Sequence, residues 1–157
     1  IVTLSYSGAA EKTVTINQNP NVETDTFEWD LSQATYDDNP SADLITWSHD
    51  KATMSNAKGD SNTGVNNYIP TTRTSTRFYA YNLLTISPAS GTTIVSVTFT
   101  ATSENYASAL KNSTWTNASA ASSGTTVTVS PTDGSTSFSA ILSGTCGVTK
   151  VTVEYVK

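Results

Sequence analysis

Apolar and polar residues alternate most regularly in the middle of the chain. Between Thr93 and Thr102, Val95, Val97, Phe99 and Ala101 share one parity while Ser96, Thr98 and Thr100 take the other. A period of two marks a strand with one face on a core and the other in water. The preceding stretch, Arg77 to Ser87, predicts a second long strand, with a Pro88-Ala89-Ser90-Gly91 corner between the two. There Tyr79 and Tyr81 fall on the side opposite Phe78 and Ala80, two apart on one strand and pointing the same way.

The same alternation recurs at both ends. Phe27, Trp29 and Leu31 oppose Glu28 and Asp30, and Val151, Val153 and Tyr155 oppose Thr152 and Glu154. Leu44 to Ser48 and Ala52 to Ser55 are shorter strand candidates. Thr125 to Ser130 and Thr136 to Leu142 read as a hairpin around Pro131-Thr132-Asp133-Gly134. Ser103 to Leu110 predicts one or two helical turns with Ser103 as N-cap and Glu104 in the first turn. Two polar stretches, Asn56 to Ser75 and Lys111 to Gly124, read as loops. Roughly eight short strands and almost no helix predict an all-β fold, an antiparallel β-sandwich of jelly-roll or Ig-like type.

Composition sharpens the picture. Charged residues make up only 13% of the 157, against roughly 25% in soluble proteins. Ser and Thr fill the gap at about a third of the chain. Thr suits a half-buried pleated surface, and a neutral hydroxylated exterior fits a secreted or cell-surface setting. Net charge is −5, which disfavours a nucleic-acid partner, because a phosphate backbone calls for a basic face. No apolar run approaches the roughly 18 residues that span a bilayer. The single Cys146 and single His49 exclude an intrachain disulfide and any two-histidine or Cys-based metal site. The start at IVTLSY suggests a chain cut from a longer protein.

Residues 1–19 pair an apolar parity (Val2, Leu4, Tyr6) with another (Val14, Ile16), which predicts a β-hairpin. The run LSYSGAAEKTVTINQN resembles the last hairpin of the bacterial Ig-like modules called BACON domains, which implies that a preceding module has been removed. The segments TFEWDLS, ITWS, TRFYAYNLLTIS, IVSVTFTA, TVTVSPTDGS and VTKVTVEYV, in that order, are similar to β-sandwich modules appended to bacterial polysaccharide-degrading and surface proteins. That resemblance, over residues 26–157, implies a secreted, non-catalytic carbohydrate-binding module attached to a glycoside hydrolase or surface protein. The rival expectation is a structural or adhesive Ig-like module, a spacer or protein-binding domain of a surface or viral fibre protein.

Sugar binding needs flat apolar rings among hydrogen-bonding groups, because a pyranose presents C–H patches rimmed by hydroxyls. Trp115, in a segment without apolar periodicity, is a ligand platform or a loop anchor. Tyr68, beside Asn67 in the long loop, and Tyr106, which either plugs the sandwich end or lines a site beside Trp115, join it. Tyr79 and Tyr81 form a platform if their face is exposed. Trp47 pairs in parity with Ile45 and is expected inside, although His49 continues its face toward a loop. Arg73 and Arg77 are donors for sugar hydroxyls or carboxylates, or members of surface ion pairs. The jelly-roll likeness implies a structural calcium, for which Asp37, Asp38 and Asp60 are the carboxylate candidates; no other cofactor is expected. Glu28 and Asp30 lie two apart on a strand, about 6.5–7 Å along it, a spacing found in inverting glycosidases. The plainer reading is a solvated face, and no enzyme is expected.

Overall fold

The computed structural model describes residues 2–4, 12–14, 22–32, 43–65 and 74–157. Near the N-terminus, β1 (Val2–Leu4) and β2 (Lys12–Val14) pair antiparallel, with Val2 opposite Val14. The remaining described strands are β3 (Thr24–Asp30), β4 (Leu44–Ser48), β5 (Ala52–Ala57), β6 (Thr76–Phe78), β7 (Leu83–Pro88), β8 (Ile94–Ala101), β9 (Thr114–Thr116), β10 (Ala118–Ser123), β11 (Thr126–Pro131), β12 (Phe138–Ile141) and β13 (Cys146–Val156). They build two sheets, antiparallel throughout. One has the order β10-β11-β8-β13-β3, with β6 also on β13, and the other the order β4-β5-β7-β12-β9.

The fold is an antiparallel β-sandwich, and its core is where the inner faces of the two sheets meet. In the first sheet Val127, Phe99, Val151 and Trp29 lie directly opposite one another across four strands, as do Val129, Val97, Val153 and Phe27. The second sheet answers with Trp47, Met54, Ile86 and Phe138 in one row and Ile45, Asn56, Leu84, Ala140 and Trp115 in the next. Almost every member of these rows is buried. Trp47 meets Phe78 edge-on at 6.0 Å, and Phe99 reaches Trp115 at 6.4 Å, so ring contacts stitch the layers together.

The helix expectation holds closely. α1 (Glu104–Lys111) starts at Ser103, which has an extended backbone and whose side-chain oxygen accepts the Tyr106 N–H, and it packs Ala107 and Leu110 inward against β8, β10, β11 and β13.

Four expectations change. Arg77 to Ser87 is not one strand: β6 belongs to the first sheet and β7 to the second. The chain crosses between them at Tyr79–Asn82, where Tyr81 takes φ +65°. Buried Asn82 holds this turn, its Oδ1 accepting the Tyr79 N–H at 2.8 Å and its Nδ2 donating to the Lys58 carbonyl at 3.1 Å. Tyr79 and Tyr81 therefore share a turn rather than a strand face. The segments around Pro131–Gly134 likewise form no hairpin, because β11 and β12 lie in opposite sheets. The hairpin is instead β10–β11, with Ser123 opposite Thr126 around Gly124 (φ +56°), so much of the expected loop 111–124 is strand. Finally, Val95 leaves the inner parity. A register shift between β8 and β13, with Val95 the extra residue, sets Ser96 opposite Glu154 but Ile94 opposite Tyr155, which turns Ile94 inward and Val95 out.

Phe99→Ala is expected to cost about 3–5 kcal/mol, and Thr98→Ala on the opposite face less than about 1 kcal/mol, measured by urea denaturation. Equal losses would contradict this assignment of faces.

Candidate functional site: an uncharged sheet face

The sequence-predicted residues scatter. Tyr68, Asn67, Arg73, Asp37 and Asp38 lie outside the described residues. Trp47 is in the core as its parity with Ile45 predicted, 2% exposed and against Phe78, which corrects its place among the ligand-ring candidates. Trp115 is half-buried. It is the inward residue between exposed Thr114 and Thr116, and its Nε1–H donates to the Leu110 carbonyl at 3.2 Å, tying β9 to the end of α1. Tyr106 lies half-buried against Gly147, where an added Cβ would stand 3.1 Å from two of its ring carbons. Tyr79 is half-buried in its turn, and Arg77 sits half-buried on β6 opposite Gly147. Tyr81 stands out. At 59% exposure it is the one exposed Phe, Tyr or Trp among the described residues.

Tyr81 is held firmly at its backbone. Its N–H donates to the Leu142 carbonyl at 2.9 Å, and Leu142 N–H returns a bond to Asn82. Its own carbonyl packs where Gly59 (φ +56°) has no side chain; a Cβ there would lie 2.6 Å from that oxygen. Two residues on, Leu83 opens the outer face of the second sheet. Direct pairing places Leu44, Ala57, Leu83, Ile141 and Thr114 in one row across all five strands. Leu44 is 45% exposed, Leu83 36% and Ile141 48%. Strand spacing makes the Leu44–Ile141 span about 14 Å.

The next outer row is Thr46, Ser55, Thr85, Ser139 and Thr116, and the one beyond is Ser48, Thr53 and Ser87. None of these thirteen positions carries a charge. The face is thus an apolar band bordered by two ranks of hydroxyls, with exposed Tyr81 two residues ahead of Leu83 in the chain. Sequence reasoning missed Leu44, Leu83 and Ile141. The one available signal was Leu83-Leu84, since adjacent leucines in a strand must face opposite ways.

The outer face of the other sheet contrasts with it. Glu28 pairs with Lys150 at 2.9 Å and accepts the Thr152 hydroxyl at 2.9 Å. Glu154 accepts hydroxyls from Thr24 at 3.0 Å and Ser96 at 2.9 Å. Hydrogen bonds from Lys150 and Thr152 hold the Glu28 carboxyl below its ordinary value of 4.5. A glycosidase general acid needs the opposite shift. Burial pushes the Cys146 thiol up to about 12, away from nucleophilic thiolate. Asp60 is exposed on the Gly59–Asp60 turn, and no group of three or more His, Cys, Asp or Glu placed to hold a metal ion occurs among the described residues. Nor is any helix among them long and apolar enough to cross a membrane.

No protein-family model matches the chain, and no curated protein or solved structure matches it.

Because its folded-state value is lowered, Glu28 contributes stability above 4.5 that is lost as pH falls through and below that value. In a carboxyl NMR titration Glu28 should therefore show a midpoint below 4.5. The melting-temperature gap between wild type and Glu28→Gln should close on acidification. A midpoint at or above the ordinary value would refute the ion-pair assignment.

Proposed function

We propose that this sandwich is a non-catalytic carbohydrate-binding module, which lays the outer face of its five-stranded sheet, headed by Tyr81, on a neutral polysaccharide. The observation that carries the reading is the combination of four exposed apolar side chains (Tyr81, Leu83, Leu44, Ile141) with eight Ser/Thr positions in rows beyond them and no charge. An uncharged face has nothing to offer a phosphate or a basic peptide. A sugar chain has complementary parts: C–H patches for the band and hydroxyls for the hydroxyl ranks.

Covering about 200 Å² of apolar surface at about 25 cal/mol/Å² supplies about 5 kcal/mol. With hydroxyl hydrogen bonds offsetting part of the cost of association, Kd falls at about 0.1–1 mM. Binding of that strength suits an accessory domain whose parent protein, secreted or on a cell surface, contributes further contacts through multivalency. The alternative, a structural or adhesive module, draws on the same exposed leucine and isoleucine side chains acting as a protein contact.

Affinity electrophoresis against plant, algal and host polysaccharides tests the reading. At least one glycan should retard the wild type, and Tyr81→Ala and Leu83→Ser should each weaken binding about three- to tenfold, with Trp115 fluorescence and the fold unchanged. No retardation by any glycan, or retardation untouched by both substitutions, would leave the structural alternative standing.

A further inference from the structure

A second, separate feature lies at one end of the sandwich. The chain contains a nine-residue near-repeat: Thr85-Ile86-Ser87-Pro88-Ala89-Ser90-Gly91-Thr92-Thr93 and Thr128-Val129-Ser130-Pro131-Thr132-Asp133-Gly134-Ser135-Thr136. Each copy ends a strand at its proline and then crosses between the sheets, β7 to β8 in one direction and β11 to β12 in the other. Since β7 pairs with β12 and β8 with β11, the two crossings are related by an approximate two-fold axis.

The turns themselves match. Thr92 N–H donates to the Ala89 carbonyl at 3.0 Å and Ser135 N–H to the Thr132 carbonyl at 3.1 Å. Gly91 (φ +79°) and Gly134 (φ +76°) occupy the same third position, where a positive φ is required. Between the twin turns runs a groove of about 650 Å³, within the about 300–1,000 Å³ range of small-ligand sites.

Three features define what this groove can hold. Its walls are fixed, because each turn is bonded to other elements: Ala89 N–H to the Lys51 carbonyl at 2.8 Å, and Thr132 N–H to the Asn117 carbonyl at 2.8 Å. Its apolar lining combines Pro88, Ala89, Pro131 and the outward-turned Val95, which is 40% exposed, with the buried Ile94 and Phe138. Its polar lining is hydroxyl from both copies, Thr92 and Thr136 among them, with Asp133 the one ionisable lining residue. A smaller depression of about 340 Å³ adjoins it at Gly91 and Thr92. The two lysines there already face carboxylates, Lys51 with Asp50 at 3.1 Å and Lys157 with Asp25 at 4.0 Å.

We propose that the twin-turn groove is a second ligand site, which takes a neutral polyhydroxylated molecule of one or two sugar rings. An anion would find no unpaired cation along the walls, a metal ion would find one carboxylate, and a nucleobase would find no exposed ring to stack on, since the lining Phe138 is 2% exposed. A pyranose matches each wall: its axial C–H face meets the proline and valine surfaces, and its hydroxyls meet the threonine and serine hydroxyls. The groove shares no residue with the sheet face, so it stands independently of the reading proposed above.

An amide NMR titration of the ¹⁵N-labelled chain with cellobiose, maltose, lactose and chitobiose tests it. At least one disaccharide should shift the amides of Thr92, Thr93, Ser135 and Thr136 together. The double variant Thr92→Val, Thr136→Val, with an otherwise unchanged spectrum, should weaken that response at least about fivefold. Asp133→Ser, which copies the other turn, should alter it less than about twofold. Tyr81→Ala should leave these shifts alone, which separates this site from the sheet face. Silence of the groove amides toward all four sugars, or a response unaffected by removing both hydroxyls, would overturn the proposal.

Discussion

Everything in this fold hangs on the backbone pairing of β13. One flank carries β8 for most of its length, and the other carries β6 at the start and β3 thereafter. That arrangement sets the two inner-facing rows through Val151 and Val153 at once, because a strand's side chains cannot change face without a bulge. Two register shifts are built in where the geometry demands them. The first frees Thr149, whose carbonyl accepts the Leu31 N–H at 2.8 Å and whose hydroxyl donates to the Thr100 carbonyl at 3.1 Å. The second turns Val95 outward and so shapes the end of the sandwich.

With the interior fixed by these rows, the exterior is left to threonine and serine. Such side chains favour the pleat without requiring counter-ions. The two outer faces have nonetheless diverged. On the six-stranded sheet, carboxylates are tied to lysine and hydroxyl partners and have little left to offer a ligand. On the five-stranded sheet the thirteen outer positions carry no charge, and Leu44, Leu83 and Ile141 are exposed. The proposed binding surface rests on that difference in charge between the two faces rather than on any special residue.

The strands or parts of strands with uninterrupted alternation, such as 24–30 and 151–155, and the capped helix at Ser103 were legible in the chain because each reports a purely local preference. Sheet membership was not legible. A proline–glycine turn serves a hairpin and a sheet crossing equally well, and only packing across the sandwich decides between them. Hence 131–134 looked like a hairpin tip and 77–87 like one strand. The site suffered from the same blindness. Trp115 lacked periodic neighbours yet was drawn inward by its bond to Leu110, whereas Tyr81 was pushed outward by a turn that only Asn82 and Gly59 make intelligible.

The position of Cys146 has a chemical consequence of its own. The sulfur is fully enclosed, its hydrogen directed to the Gly144 carbonyl at 3.4 Å. Thiol–disulfide exchange requires a thiolate that an oxidant can reach, and this sandwich denies both access and ionisation. A lone cysteine in an oxidising medium ordinarily invites covalent cross-linking between copies or capping by glutathione. Here the folded state itself is the protecting group, so the chain keeps a reduced sulfur without any reductant for as long as its two sheets stay closed.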